Sequence, residues 1–242
     1  MHDDGPRLSG MMLAGGAVAV ALIAGAAGWA GARYGSQGAM EEVVRSYILD
    51  HPEIIPEAME NLQNREAGKA LAEVRGDVER VFPGAVMGNP DGKLVMVEFT
   101  DFACGYCRKA VEDVDALIAA NPDLKVVIRE LPIISPQSAE AARMGLAAAA
   151  QGKYPAFHRA MFAAGQPSPE AIESAARAAG LDMAQARAFA ESPQVEMELS
   201  RNIQIAQQLG FSGTPSWVIG DRMIAGAVGA DALAEAIEDA RS

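Results

Sequence analysis

The chain has 242 residues, half of them hydrophobic, with a formal charge of −12 and an isoelectric point near 4.7. A chain of this length can bury a core of its own, as one medium domain with extensions. Because binding to phosphates needs clustered Lys and Arg, the acidic sequence argues against nucleic acid as a partner.

The N-terminal segment, residues 1–32, is predicted to be a signal-anchor or a signal peptide. Residues 11–32 carry no charge, and about 20 apolar residues suffice to cross a bilayer. This length favours an uncleaved anchor, whereas the small residues Ala30–Ala32 resemble a cleavage site. Both alternatives stay open, and in either case the rest of the chain is expected to be exported.

Residues 33–83 are predicted to be a short linker followed by two or three helical pieces. Asp50 and Glu53 form a capping-box pattern, which predicts one helix ending near Leu49 and another starting at Asp50. Apolar residues recur at helical spacing, namely Val44, Ile48, Ile55, Met59, Leu62, Leu71, Val74, Val78 and Val81. These stripes either pack on the chain's own domain or form an oligomerisation stalk, and both interpretations stay open.

A β-α-β unit is predicted after a turn-rich boundary at 84–92. The apolar runs at 93–100 and 124–131 indicate two buried strands, separated by a helix that runs from the cysteines to Ala120. A helical insert at about 135–210 follows, with starts marked by Ser135-Pro136, Ser168-Pro169 and Ser192-Pro193. Two short strands joined at Gly220-Asp221 and a last helix from Asp231 complete a predicted α/β domain at 93–242.

Cys104 and Cys107 are the only two cysteines of the chain, and they lie three residues apart. On the first turn of a helix this spacing permits the Cα separation of about 4.4–6.8 Å that a disulfide needs. Because Cys104 directly follows a strand, it should cap the incoming helix, where free N–H groups favour a thiolate. Such placement lowers a thiol pKa from about 8.5 into the range of about 3.5–7.5. The pair is therefore predicted to be redox-active, with Cys107 resolving the mixed disulfide.

Three other interpretations of the cysteine pair compete with a redox-active one. A structural disulfide across so short a loop would constrain the unfolded chain very little. A zinc site would need further ligands, and none of the three histidines lies at ligand spacing from the pair. Two unrelated core thiols would not need this spacing. Neither a metal nor a cofactor is expected.

The segments FTDFACGYC and GTPSWVIG, separated by a helical insert, resemble the DsbA-like branch of the thioredoxin superfamily. The resemblance covers about residues 93–242 and implies a thioredoxin-like fold and exported thiol:disulfide oxidoreductase activity. The segment YILDHPEIIPEAME resembles the N-terminal part of ScsC- and Com1-type relatives, some of which oligomerise through it.

The resemblance implies roles for further residues. Pro215 matches the cis-proline that presents a backbone edge to substrate, and Thr214 matches the residue that tunes redox behaviour and substrate contact. Glu98 matches a buried acid that helps proton transfer at the inner cysteine; its place within an apolar run argues against a surface carboxylate. Gly105 and Tyr106, between the cysteines, are expected to tune the redox potential. Phe102 and Trp217 are expected to pack in the core.

The direction of electron flow is left open by the sequence. The Gly-Tyr dipeptide and the Thr before Pro resemble isomerases, whereas the helical insert resembles the DsbA-like oxidases. The expected partners are exported client proteins with cysteines, a membrane redox partner and the inner membrane, on whose periplasmic side the chain is expected; a homo-oligomer is also considered. Two alternative functions remain: a Cu(I)-handling vicinal-thiol module, and a membrane-anchored scaffold with an inert disulfide.

Overall fold

The computed structural model describes residues 40–241, with the backbone alone at positions 60, 61, 63, 64 and 67. The predicted signal or anchor segment at 1–32 and nearly all of the linker that follows it lie outside the described residues. Within residues 40–241, none of the helices has both the length and the hydropathy needed to cross a bilayer. The chain divides into two compact units, Met1–Leu62 and Gln63–Ser242.

Helix α1 spans residues 40–50 and helix α2 spans Ile54–Val78. The predicted helix start at Asp50 is wrong, because Asp50 belongs to α1 and α2 begins at Ile54. Pro52 accounts for the difference, since the residue before a proline is disfavoured in the helical region, and His51 accordingly leaves the helix. The N–H of His51 donates to the carbonyl of Tyr47 over 2.9 Å and closes α1.

The predicted apolar stripe has two different environments. In the first unit, Val44, Ile55, Met59 and Leu62 are between 45 and 57 % exposed. In the second unit, Leu71 and Val78 are fully buried and pack with the side chains of one sheet face, as do the partly buried Val74 and Val81. Packing on the chain's own domain is therefore confirmed for the C-terminal part of the stripe.

The unit Gln63–Ser242 is built on a five-stranded sheet with the strand order β1-β3-β2-β4-β5. The strands are β1 (Val86–Gly88), β2 (Leu94–Thr100), β3 (Leu124–Glu130), β4 (Ser216–Ile219) and β5 (Arg222–Ala225). β2 and β3 are parallel and the other neighbours are antiparallel. The predicted order of strands is confirmed, apart from β1, which was not predicted within its turn-rich segment.

Seven helices follow the first cysteine: α3 (Gly105–Ala120), α4 (Pro136–Ala150), α5 (Tyr154–Ala164), α6 (Pro169–Ala178), α7 (Met183–Ala190), α8 (Pro193–Gln208) and α9 (Ala230–Asp239). Helices α4–α8 lie between β3 and β4 in the sequence, where a helical insert was expected. Ser135, Ser168 and Ser192 each accept a backbone N–H at a helix start, with proline in the first turn, as predicted.

Each face of the sheet has its own core. One face carries Met96, Val126 and Ile128 and packs against α3, α4 and α9. The other carries Val97, Phe99, Val127 and Val218 and packs against the C-terminal part of α2 and the end of α8. A third cluster, in the helical insert, contains both cysteines together with Phe102 and Phe157. The cysteines therefore lie where the sheet meets the helical insert.

Candidate active site

Cys104 lies at the N-cap of α3, directly after the loop that follows the central strand β2. Its backbone is extended, with φ −77° and ψ 117°, so that its side chain turns back over the first turn of the helix. The backbone N–H of Cys107 donates to Cys104 Sγ over 3.3 Å. Both cysteines are free thiols and buried, Cys107 completely. The N-cap position predicted for Cys104 is the one observed.

The two thiols differ strongly in acidity. Hydrogen bonds from the side chain and the backbone of Cys107 lower the pKa of Cys104 to about 5, although burial acts in the opposite direction. The hydrogen bond to Cys104, burial and the nearby Glu98 carboxylate raise the pKa of Cys107. At neutral pH Cys104 is therefore the thiolate and Cys107 the thiol, which is the arrangement of a nucleophile and a resolving cysteine.

This difference predicts the pH profile of alkylation. Only the thiolate reacts with iodoacetamide, so the alkylation rate of the reduced protein is expected to rise with pH through a midpoint near pH 5, the pKa of Cys104, and to be nearly flat by about pH 7. Stopped-flow alkylation with mass spectrometry would give both the midpoint and the modified residue. A midpoint near the ordinary thiol value, about 8.5, or modification of Cys107 first, would contradict this assignment.

The loop before β4 lies against Cys104. The Thr214–Pro215 peptide bond is cis, as the resemblance implied. Cys104 Sγ lies 3.2 Å from the carbonyl oxygen of Thr214, which accepts a hydrogen bond from the thiol form. The Pro215 carbonyl accepts the N–H of Gly226 over 2.9 Å, which ties the loop to the end of β5. Two segments that are 110 residues apart in the sequence thus meet at one sulfur.

Glu98 is buried within the central strand β2 and is 2 % exposed, so it is not a surface carboxylate of an edge strand. It lies opposite Trp217 of β4 and beside Ile128 of β3 in the strand register. Burial raises the pKa of Glu98 to about 8, the nearby Thr100 hydroxyl opposes this shift, and the charge on Cys104 adds to it. Near neutral pH Glu98 can therefore both accept and release a proton.

The residues between and around the cysteines differ in exposure. Tyr106 is 63 % exposed, and a Cβ added at Gly105 would have no atom within 4 Å, so neither residue is fixed by packing. Lys109 Nζ lies 5.7 Å from the centre of the Tyr106 ring. Phe102 and Trp217 are fully buried, which confirms core packing for both.

Asp101 is a site residue that was not singled out from the sequence. Its carboxylate accepts the N–H of Ala103 over 2.8 Å and those of Ile133 and Ile134 over 2.9 and 3.0 Å. It therefore joins the loop before Cys104 to the loop after β3. An aspartate immediately after a buried strand was the available signal, because Asp commonly binds nearby backbone N–H groups at turns.

The described part of the chain was expected to bind no metal, and its potential ligand side chains are as follows. Among residues 40–241, no group of three or more His, Cys, Asp or Glu side chains could hold a metal ion. His158 is 2 % exposed and lies among the rings of Phe102, Tyr154 and Phe162, and burial lowers its pKa to about 3.

Comparisons with known proteins agree with this geometry. Residues 95–238 match the DSBA-like thioredoxin domain, and residues 37–68 match the N-terminal domain of the copper resistance protein ScsC. A thioredoxin-like oxidoreductase from Silicibacter pomeroyi DSS-3 is 39 % identical, with a TM-score of 0.66 over 69 % of this chain and 97 % of that one. The catalytic domain of Proteus mirabilis ScsC is 26 % identical, with a TM-score of 0.65 over 72 % and 97 % of the two chains.

A curated relative matches over a limited region. The Na(+)/H(+) antiporter NhaA of Herminiimonas arsenicoxydans is 31 % identical over 158 residues, which are 64 % of this chain and 25 % of the antiporter. The chain thus spans about a quarter of that relative's length.

A thioredoxin-like sheet with two cysteines at a helix start, beside a cis-proline loop, defines the class of thiol:disulfide oxidoreductases. Within this class the chain belongs to the DsbA-like thioredoxin family, whose domain matches more than half of its length. Its N-terminal part matches the ScsC N-terminal domain, as the resemblance of that segment implied.

Proposed function

We propose that the protein is an exported thiol:disulfide oxidoreductase that forms or isomerises disulfide bonds in client proteins through Cys104 and Cys107. The observation that carries the proposal is the position of Cys104 Sγ at a helix N-cap, 3.3 Å from the Cys107 N–H and 3.2 Å from the Thr214 carbonyl. The helix N-cap and the Cys107 N–H stabilise a thiolate, and the Thr214 carbonyl marks the loop beside it that is suited to holding a peptide.

The remaining site residues support this exchange. In the oxidising direction a client thiolate attacks Cys104 Sγ, Cys107 leaves as a thiolate and Glu98 supplies the proton that neutralises it; a second client thiol then releases Cys104. Glu98 suits this task because its pKa of about 8 lies near the working pH. Thr214 and Pro215 would hold the client backbone, and Gly105 and Tyr106 would tune the redox potential.

The predicted domain organisation is part of the proposal. Residues 1–32 would export the chain and either anchor it to the periplasmic side of the bacterial inner membrane or be cleaved, which would leave a soluble periplasmic protein. Residues 33–83 would serve as linker and helical segment, and residues 93–242 as the catalytic domain. A membrane redox partner would reoxidise or reduce the cysteine pair after each turnover.

The N-terminal helical segment favours isomerisation over simple oxidation. The apolar side chains of Val44, Ile55, Met59 and Leu62 are exposed, and residues 37–68 match the ScsC N-terminal domain. Burying such a stripe against other copies of the chain would create a homo-oligomer with several active sites. A client held at one site could then be reshuffled at another.

The experiment is the refolding of reduced and of scrambled ribonuclease by residues 33–242 and by residues 63–242. The shorter protein keeps the whole compact unit Gln63–Ser242, including the core residues Leu71 and Val78. Both proteins are expected to oxidise the reduced substrate, whereas isomerisation of the scrambled substrate should be lost or strongly reduced in the shorter one. Val44→Asp in the longer protein is the matched variant, because it places a charge in the exposed apolar stripe without truncating the chain. It should reduce isomerisation as the truncation does.

Different outcomes separate the alternatives. Isomerisation that is indifferent to both changes would reject the oligomeric isomerase while leaving the redox activity intact. Stoichiometric Cu(I) binding without refolding activity would favour the copper-handling module, a possibility raised by the vicinal thiols and by the name of the ScsC family. Neither activity, with a disulfide that resists reduction, would favour the inert scaffold.

A further inference from the structure

A second acid, Glu130, is buried near the cysteine pair and has no part in the mechanism described so far. It ends β3 and is fully buried. Its Oε1 accepts the Tyr154 hydroxyl over 2.6 Å, and Tyr154 is itself fully buried at the start of α5. Among the described residues, its other oxygen, Oε2, has no hydrogen-bond partner. A buried carboxyl with one unpaired oxygen is costly unless it carries a proton or has a task.

Glu130 shares a sheet face with Glu98. In the parallel pair of β2 and β3, Glu130 lies beside Thr100, and Glu98 lies beside Ile128. Side chains alternate along a strand, so Glu98 and Thr100 point to one face, and Glu130 points to the same face as its neighbour Thr100. The two acids are therefore diagonal neighbours beneath the cysteines.

The helical insert leaves space for this carboxyl. Gly145 lies within α4, and a Cβ on it would stand 3.0 Å from Glu130 Oε1 and 3.3 Å from the Phe102 ring. A glycine inside a helix is less stable than an alanine at the same position. Close approach of the Glu130 carboxyl is a physical reason for a glycine at this position.

We propose that Glu130, hydrogen-bonded by Tyr154, acts with Glu98 as a pair of buried acids that binds a proton when the Cys104–Cys107 couple is reduced. The proposal rests on the redox function proposed above. Glu130 acts through Glu98 and is a positioning residue that sets the proton affinity of the site.

The proton balance of the reaction shows where such a pair would act. When the protein disulfide is reduced by a client dithiol, the two client thiols supply two electrons and two protons, and a client disulfide forms. One proton stays on Cys107, Cys104 remains a thiolate, and the second proton is released. A nearby carboxylate can take up this second proton instead of the solvent.

The electrostatics give the direction of this coupling. The new charge on Cys104 raises the pKa of Glu98. Burial raises the pKa of Glu130, the Tyr154 hydroxyl opposes this shift, and the charges of Asp101 and Glu98 add to it. Every interaction among the acidic groups is repulsive, so a new negative charge on Cys104 makes the pair bind protons more strongly.

Other titratable groups also face Glu130 from the elements packed around it. From β2 and the following loop these are Glu98 and Asp101, and from α5 they are Tyr154 and, beside its ring, His158; the neighbouring residue of α4 is Gly145. Cys104 and Cys107, at the start of α3, interact with Glu98. His158 stays neutral above about pH 3 and does not change charge in the working range. Arg129 points to the opposite face of β3, where it pairs with Glu198.

The test is the pH dependence of the protein's reduction potential, obtained from its equilibrium with glutathione after the pH dependence of the glutathione couple is taken into account. It is measured from about pH 6 to about pH 10 for the wild type, Glu130→Gln, Tyr154→Phe and Glu98→Gln. Each proton that the protein binds on reduction lowers this potential by about 30 mV per pH unit, which is tenfold in the constant of the two-electron couple. Where the pair binds the second proton, the potential of the wild type should fall by about 60 mV per pH unit.

The variants have distinct expected results. Glu130→Gln should narrow the pH range in which two protons are bound, so that above about pH 8, the pKa of Glu98, the potential falls by only about 30 mV per pH unit. Tyr154→Phe removes a hydrogen bond that favours the ionised Glu130, so the upper end of the range should move to higher pH. Glu140→Gln, at an exposed position on α4, is the matched control and should leave the curve unchanged.

If Glu130 had only a structural role, Glu130→Gln would shift the reduction potential by the same amount at every pH. The pH at which the slope of potential against pH changes would then stay where it is in the wild type. Superimposable curves for the wild type and Glu130→Gln, with a changed curve for Glu98→Gln, would overturn the proposal and leave the redox function intact. Absence of any exchange between the wild type and glutathione would instead contradict the proposed function itself. The infrared difference spectrum of reduced minus oxidised wild type should contain a protonated-carboxyl band, because the acid pair binds a proton on reduction. This band should be absent from the same spectrum of Glu130→Gln.

Discussion

Replacing Cys104 by serine is expected to reduce thiol:disulfide exchange to the uncatalysed rate. Cys104 is the acidic thiol, with a pKa near 5, and a serine hydroxyl is neither ionised at neutral pH nor able to form an exchangeable bond. The measurement is the oxidation of reduced ribonuclease by the purified variant. Unchanged circular dichroism would show that the fold survives, since Cys104 contributes one small side chain to the core.

Cys107→Ser is the matched control for this loss. It keeps the Cys104 nucleophile but removes the thiol that resolves the mixed disulfide, so covalent complexes with clients should accumulate and appear on non-reducing gels. The hydrogen bond from the Cys107 backbone N–H remains, whereas the side-chain hydrogen bond changes, so the pKa of Cys104 should rise from its value near 5. Exchange at the wild-type rate by Cys104→Ser would show that the nucleophile is wrongly assigned.

The parts of the fold that follow from local signals could be predicted from the sequence. Strands β2 and β3 are rich in apolar, β-branched residues, and the three Ser-Pro pairs mark helix starts that need no tertiary information. The cysteine pair was found from its spacing at a strand-to-helix junction. Thr214, Pro215 and Glu98 were assigned through the resemblance to the DsbA-like family, and the apolar run around Glu98 only argued against a surface position.

The parts that depend on distant contacts could not be predicted. β1 has three residues, too few to show a periodicity, and it exists because it pairs with β3. Glu130 also ends an apolar run, but its partner Tyr154 is 24 residues away on a helix of the insert. Such a pair becomes visible only when the sheet and the insert are packed together.

Two consecutive charged residues of strand β3, Arg129 and Glu130, point to opposite faces of the sheet. Glu130 points to the sheet face that also carries Glu98, whereas Arg129 points to the opposite face and is 0 % exposed. Asn202 of α8 connects the two, because its amide donates to the Glu130 carbonyl over 3.0 Å and its oxygen accepts from Arg129 Nη1 over 2.8 Å. The position of the strand beneath the active site therefore depends on contacts made on its far side.

Arg129 also binds the end of helix α2. Its guanidinium donates to the carbonyls of Val78 and Arg80, over 3.0 and 2.7 Å, and to that of Asp77. Asp77 and Val78 are the last two residues of α2, whose final carbonyls have no partner within the helix, and a cation there is favoured by the helix dipole. Arg129 Nη1 also donates to Glu198 Oε1 over 2.9 Å, and Glu198 is 5 % exposed.

Arg129→Met is therefore expected to lower the free energy of unfolding by about 3–5 kcal/mol, because several buried carbonyls near the end of α2 lose their donor and the buried Glu198 keeps only Arg80 as its cation. Urea unfolding of residues 63–242 would measure the loss. Arg201→Ala removes an exposed ion pair with Asp77 and should cost at most about 1 kcal/mol.

A double variant separates the ion pair from the helix-end contacts. In Arg129→Met/Glu198→Leu the buried carboxylate is removed together with Arg129, and Arg80, the other partner of Glu198 and 38 % exposed, can be solvated. The loss should be smaller than in Arg129→Met alone, where the buried Glu198 keeps one cation instead of two. If Arg129→Lys, which keeps the charge but not the fork of donors, is as unstable as Arg129→Met, the hydrogen bonds to α2 dominate. A loss in Arg129→Met no larger than in Arg201→Ala would mean that the far side of β3 does not hold the strand in place.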